Sequence, residues 1–274
     1  MFEKVWFGIF FVYTWAMKKI FPLLGVLLAA GAVFYFVRSN LTNKTQAIPV
    51  GTPKAAEKTV DVSGEVELDG NKYAYAYFKV EDMDKLSLIS NLSEKKTSDE
   101  VFSENGCKKL INGGFYSTSE TSLGLFINDG KTLTNWTKNT TLNAVLSVNY
   151  FATPRVTRDV PEDSLRIALQ SGPILIENAS VLPIRAANDN TARRSVAAVS
   201  GSNELYFLII YSPTQMFEGP SLKVLPEVVK LISEKMGVAF ADAVNLDGGS
   251  ASAFIFGKEK LSELTLVGSF FCEK

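Results

Sequence analysis

The residues best suited to chemistry lie near the C-terminus, in Asn245-Leu246-Asp247-Gly248-Gly249-Ser250. Apolar runs flank them, Ala239–Val244 broken only by Asp242, and Ala251–Phe256. A carboxylate beside glycine-exposed N–H groups can do acid–base chemistry or bind a cation while the N–H groups hold an anion. Asp-Gly is also a strong hairpin signal, so on spacing alone a turn between two strands is the plainer reading. A second glycine-rich stretch, Asn112-Gly113-Gly114-Phe115, ends a short apolar run and reads either as an anion-binding nest with Asn112 adding directional contacts, or as a simple turn. Arg193-Arg194-Ser195 precedes the apolar Val196–Val199. The guanidinium fork suits phosphate or carboxylate, though a solvated surface pair is the commoner case. Gln170-Ser171-Gly172-Pro173 lines a pocket or merely ends a helix. Glu177, after the apolar Ile174–Ile176, is the best-placed second carboxylate, with an exposed strand-end charge as its alternative.

Composition narrows the chemistry. The chain has 274 residues, a net charge of -1 and no histidine. That excludes a Ser-His-Asp triad, a Cys-His dyad and every histidine metal site. Near-neutral charge gives no footprint for nucleic acid. The two cysteines, Cys107 and Cys272, exclude a zinc-thiolate cluster and read equally well as a disulfide or as two buried thiols. No cofactor is implied. A divalent cation at Asp247 is conceivable, but no ligand cluster accompanies it.

Elements must position these residues. Ile20–Val37 is an uncharged apolar run with Lys18 and Lys19 before it and Arg38 after. Its length suits a membrane span with the N-terminus cytoplasmic and the remainder extracytoplasmic, in the periplasm or at the cell surface. A start at Met17 with an export signal, cleaved near Ala30-Gly31-Ala32, is the alternative. Residues 1–38 thus read as a membrane anchor or signal region, 39–58 as a flexible linker, and 59–274 as one globular domain. Within it, Val60–Val80 reads as a hairpin about Asp69-Gly70-Asn71. A short helix from Asp82 or Asp84 to Asn91 and a capping box at Thr97/Glu100 follow. Strands are expected at 108–111, 123–127, 132–136, 142–151 and 174–176, a helix at 161–170, a hairpin of 196–199 with 205–211, and an amphipathic helix over 222–236 capped by Gly237. The sum predicts α+β: a single domain with a mixed, largely antiparallel sheet flanked by a few helices and preceded by an N-terminal transmembrane helix.

The order of motifs resembles the phosphodiester glycosidase family. Asn112–Phe115, Gly124–Gly130, Gln170–Pro173, Arg194–Ala197, Leu222–Gly237 and Asn245–Ser250 match its Asn-Gly-Gly-Phe turn, glycine-bearing hairpin, Gln-Ser-Gly-Pro segment, Arg-Thr-Ala-Val strand, amphipathic helix and Asn-Leu-Asp-Gly-Gly-Ser loop. Ser195 stands where threonine is usual, Ala198 where glycine is common, and Ser250-Ala251-Ser252 replaces Gly-Ser-Ser. The resemblance implies hydrolysis of a glycosyl-1-phosphodiester or related cell-surface glycan linkage. It implies Asp247 as acid, base or nucleophile, Arg194 and the N–H groups of Gly113, Gly114, Gly248 and Gly249 on the phosphate, and Asn112 on a sugar hydroxyl. Phe115, Gln170, Ser171, Gly172, Ser195, Asn245 and Ser250 would complete the binding surface. Paired carboxylates are usual in glycosidases, and Glu177 and Asp129 are the candidates for the second, although phosphate leaves readily without one. A non-catalytic envelope protein that binds glycans or glycan phosphates would present the same pocket without turnover.

Overall fold

Alternation over residues 62–80 forms the expected hairpin: β1 (Ser63–Leu68) pairs with β2 (Asn71–Lys79), and the turn at Asp69-Gly70 takes positive φ at both residues, 51° and 76°. This is the start of a computed structural model that describes residues 62–186 and 189–274. The expected anchor at 20–37 and linker at 39–58 lie outside the described residues. Among those described, no helix is long and apolar enough to cross a membrane.

The other strands are β3 (Leu86–Ser90), β4 (Lys109–Asn112), β5 (Phe126–Asn128), β6 (Lys131–Thr134), β7 (Ala144–Asn149), β8 (Pro154–Thr157), β9 (Leu165–Ser171), β10 (Ile174–Glu177), β11 (Ser180–Val181), β12 (Arg194–Ser200), β13 (Leu205–Tyr211), β14 (Phe240–Asn245), β15 (Phe254–Phe256), β16 (Glu259–Leu261) and β17 (Ser269–Glu273). They build one seven-stranded sheet, β1-β2-β13-β12-β14-β10-β11, and two five-stranded sheets, β16-β15-β4-β17-β3 and β6-β5-β9-β7-β8. Every pairing between these strands is antiparallel. The helices among the described residues are α1 (Ser98–Asn105) and α2 (Leu225–Met236).

The α+β expectation, with a mixed, largely antiparallel sheet, is therefore corrected: the described fold is mostly β, in three antiparallel sheets. Two misread helices account for much of the difference. Residues 161–170 carry an acidic, proline-led opening, yet 165–171 form β9, central in its sheet and buried on both faces. A short strand without a solvent face has no period of two, so it cannot be told from a buried helix by pattern. Asp82 does cap a turn, its carboxylate accepting the Asp84 N–H at 3.1 Å, but only Met83–Lys85 is helical. Leu86 and Leu88 then alternate with serine and form β3 against β17.

The helices that remain have the ends their sequences encode. Thr97 and Glu100 form a reciprocal capping box, and Gly106 and Gly237 close α1 and α2 in the left-handed conformation. Helix α2 covers the outer face of the seven-stranded sheet, packing Leu225, Val228, Val229 and Ile232 on Val196, Ala198, Leu208 and Ile210. The inner faces of all three sheets share one core that includes Phe78, Phe207, Phe254, Phe271, Phe126, Leu146 and Leu169. Phe78 lies 5.4 Å from both Phe207 and Phe254, and Phe207 lies 4.8 Å from Phe271, at tilted ring angles that suit aromatic quadrupoles.

Cys107, just after α1, and Cys272, on β17, form a disulfide with Cα atoms 5.5 Å apart. It links residues 165 apart in sequence, so it removes a large loop's freedom from the unfolded chain. Long loops of this kind are worth about 2–5 kcal/mol. The Cys107→Ser/Cys272→Ser variant should melt about 5–15 °C below the wild type in non-reducing calorimetry, and dithiothreitol should lower the wild type toward it. An unchanged melting temperature would remove the disulfide from the fold's stabilising contacts.

Candidate functional site

The Asp247 segment is not a hairpin turn. It carries the chain from β14, in the seven-stranded sheet, to β15, in a five-stranded one. The other sequence-predicted segments also sit at strand ends: Asn112 ends β4, Arg194 opens β12, and Ser171 ends β9 just before Pro173 and β10. These ends converge on a pocket of about 480 Å³ lined in part by Phe115, Gly172, Arg194, Asn245, Asp247, Gly248 and Gly249.

Asn112 is completely buried, and its amide is fully engaged. Nδ2 donates to the carbonyls of Asp247 (2.7 Å) and Gly113 (3.2 Å), and Oδ1 accepts from the Ser195 hydroxyl (2.6 Å) and the Ala253 N–H (3.1 Å). With two donors and two acceptor sites spent, no contact remains for the sugar hydroxyl expected of it. Asn112 holds the Asp247 backbone instead. Ser195, likewise buried, holds Asn112 and receives the Leu246 N–H at its carbonyl, 2.8 Å away.

The Gln-Ser-Gly-Pro segment also turns inward. Gln170 accepts from the Leu125 and Thr137 N–H groups and donates to the Thr137 and Leu142 carbonyls. Ser171 donates to the Asn245 carbonyl at 2.7 Å, and Asn245 returns a bond to the Gly172 carbonyl at 3.0 Å. A side chain at Gly172 would put its Cβ 2.2 Å from the Thr141 carbonyl oxygen. Only glycine permits that approach. Among the described residues, the buried Oδ1 of Asn245 has no partner.

The N–H groups of Gly113, Gly248 and Gly249 are turned to partners within the protein. The Gly113 N–H donates to the Ser269 carbonyl (2.7 Å), that of Gly249 to the Arg193 carbonyl (2.7 Å), and that of Gly248 to the Asp247 carboxylate (2.8 Å). They are there for close packing: a Cβ at Gly113 would meet the Ser269 hydroxyl at 2.3 Å, one at Gly114 the Leu169 side chain at 3.1 Å, and one at Gly248 the Arg193 carbonyl at 2.7 Å. Ser250 is exposed beyond the pocket, its hydroxyl 3.1 Å from that of Thr265.

Asp247 and Arg194 remain as the charged groups in the pocket lining. Burial pushes the Asp247 carboxyl up to about 7, against the opposing bond from the Gly248 N–H. Half of such a group is ionised near neutral pH, where proton transfer is most effective. Arg194 is anchored through Nε to the Pro220 carbonyl (3.0 Å) and through Nη2 to the Asn190 carbonyl (2.7 Å), and its Nη1 has no partner among the described residues. Burial lowers its pKa, and nearby Asp189 opposes this. Asp189 is itself fixed by the Leu222 and Lys223 N–H groups.

Neither candidate for a second carboxylate is in the pocket. Glu177 is bound bidentately by Arg158 at 2.7 and 2.8 Å. Asp129 is exposed in the β5–β6 turn, at φ 48°. Among the described residues, no group of three or more His, Cys, Asp or Glu side chains is placed to hold a metal ion.

Arg193 is the residue that sequence reasoning misjudged. It is fully buried, with Nε donating to the Ser252 hydroxyl (2.7 Å), Nη2 to the Ser252 and Ser262 carbonyls, and the guanidinium lying 4.4 Å from the Phe217 ring centroid. Burial without an ion pair pushes its pKa down to about 10, and its Nη1 has no partner among the described residues. Strand alternation, with Arg194 facing the pocket, was the available signal that Arg193 points the other way.

Comparison with known proteins bears on the family and the fold. The phosphodiester glycosidase family model matches residues 105–268. The catalytic domain of zebrafish N-acetylglucosamine-1-phosphodiester α-N-acetylglucosaminidase, auto-inhibited by its pro-peptide, is similar with a TM-score of 0.58 and 14% identity, over 79% of this chain and 84% of that one. A hypothetical protein from Synechocystis is similar with a TM-score of 0.51 and 12% identity, over 77% of this chain and 61% of that one. No curated protein sequence matches the chain significantly. At such identities the structural likenesses establish the fold alone. The family model spans more than half of the sequence, and this chain belongs to the phosphodiester glycosidase family.

Proposed function

We propose that the chain hydrolyses glycosyl-1-phosphodiesters in the Asp247 pocket. The observation that carries this reading is the pairing, in one pocket of a phosphodiester glycosidase fold, of a carboxyl pushed up to about 7 with a part-buried arginine. A phosphodiester anion is drawn to the charge of Arg194, whose guanidinium is anchored through Nε and Nη2 and keeps Nη1 to meet a phosphate oxygen. Asp247, ionised, removes a proton from water as the water oxygen bonds to the anomeric carbon. The bond from that carbon to the phosphate oxygen breaks, and the electron pair leaves with the phosphomonoester. Because phosphate is a good leaving group, this scheme needs only one carboxylate. An oxidising, extracytoplasmic setting goes with this reading, supported by the Cys107–Cys272 disulfide.

Asp247→Asn should lower kcat on a glycosyl-1-phosphodiester by at least about 10³-fold while the variant stays folded. Retained turnover would remove Asp247 from the reaction, whereas binding without turnover in the wild type would leave a glycan-phosphate-binding protein. The same substitution should raise stability at alkaline pH. The folded-state pKa lies above the unfolded one, so the contribution of Asp247 is complete in acid and is lost as the pH rises through about 7. At pH 8 the variant should melt about 2–4 °C above the wild type, and this advantage should vanish near pH 4.

As the base form is required, kcat/KM should climb about tenfold per pH unit below 7 and level off above it. A profile that falls through 7 would make Asp247 the acid instead.

Arg194→Ala should lower kcat/KM by about 10²–10³-fold, with KM raised. An unchanged KM would take the phosphate away from Arg194.

A further inference from the structure

Sugar hydroxyls need directional polar partners, and this pocket offers few. Asn139 lines it, but its Oδ1 is spent on the Thr141 and Leu142 N–H groups at 2.8 and 2.9 Å. The Asn245 amide N–H goes to Gly172, which leaves its buried Oδ1 as an acceptor. Around Arg194 and Asp247 the larger lining side chains are Phe115, Leu123, Leu142, Pro173, Leu222 and Leu246.

The apolar character continues past the rim. Leu123 is 39% exposed, with its N–H on the Phe115 carbonyl at 2.9 Å. Trp136 is 36% exposed and falls in the chain between Thr134, whose hydroxyl holds the Gly124 carbonyl at 2.6 Å, and Thr137, bonded to Gln170. Leu264 is 69% exposed, and its N–H donates to the Ser250 carbonyl at 2.7 Å, beside pocket-lining Gly249. Exposed apolar surface gathered at the mouth of an apolar pocket marks a binding site.

We propose that the alcohol half of the phosphodiester is a long aliphatic chain. Its phosphate sits at Arg194, and its methylenes run out of the pocket over Leu123 and Leu264. The phosphodiester itself rests on the glycosidase reading above, whereas the apolar ligand rests on the lining. A chain of this kind matches the single cation with its phosphate and the scarcity of polar partners with everything beyond it.

The test is calorimetric binding of decyl phosphate, below its micelle concentration, and of methyl phosphate to the full chain. Each buried methylene is worth about fourfold in affinity, so decyl phosphate should bind at least tenfold more tightly. Leu123→Ser and Leu264→Ser should each shrink that preference. Phe151→Ser should preserve it. Phe151 is 88% exposed, but it follows the far end of β7, the strand whose first residue, Ala144, pairs with Ser171 at the pocket.

Equal affinities for the two phosphates would overturn the proposal, as would a preference lost in Phe151→Ser and kept in both leucine variants. A preference for decyl phosphate that depends on the leucines, in a protein that cleaves no glycosyl phosphodiester, would support the apolar site while removing the hydrolase reading. Cleavage of methyl and decyl diesters with equal kcat/KM, alongside equal phosphate affinities, would do the reverse.

Discussion

The side-chain amide of Asn112 ties the seven-stranded sheet, through β12 and the loop leaving β14, to the five-stranded sheet that holds β4 and β15. It starts at the end of β4, reaches the Asp247 carbonyl on the loop leaving β14, takes the Ser195 hydroxyl from β12, and receives the Ala253 N–H ahead of β15. An unpaired amide in a buried site costs the full desolvation of its groups. All its bonds must therefore form together, and they form only when the strands have their observed register. The position of the Asp247 carboxyl follows from that requirement. Its backbone is fixed on one side by Asn112 and on the other by the N–H contact to the Gly113 carbonyl at 3.1 Å.

Arg193 secures the same loop from beneath. Its carbonyl accepts the Gly249 N–H and its guanidinium grips Ser252, so both ends of the 3₁₀ turn at Gly249–Ala251 are tied to one residue. Burying a cation without a carboxylate partner is unfavourable, and the protein offsets it with oxygen acceptors and an aromatic face. Asp247 bears the complementary strain. Its carboxyl is costly to ionise in the same surroundings, which is the property that poises it for proton transfer near neutral pH.

Much of the local structure was legible. Turn residues marked the β1–β2, β5–β6 and β12–β13 connections, the capping box opened α1, and Gly237 closed α2, because these features depend on neighbours a few residues away. The strand β9 was not legible, since its burial on both faces erases the periodicity that would reveal it. The pocket was half legible. Asp247 and Arg194 stand out as charges beside apolar runs, and both line it. Asn112, Gln170, Ser171 and Ser195 also drew attention as polar residues in turns. Each is instead buried and bonded within the protein.

The sequence by itself determined the family and the ordered motifs that carry it, along with the absence of histidine, which leaves any acid–base chemistry to Asp, Glu, Lys, Tyr or Cys. Those are properties of residue identity and order. Only the tertiary structure decided which groups face the pocket. Hydrogen-bond saturation depends on partners distant in sequence, such as Asn112 and Ala253, 141 residues apart, and no local pattern encodes whether such a partner is present. For the same reason the Asp-Gly-Gly loop, which reads as a hairpin turn, is a crossover between sheets. Its glycines accommodate the arginine backbone beneath it, and their N–H groups are bonded within the protein.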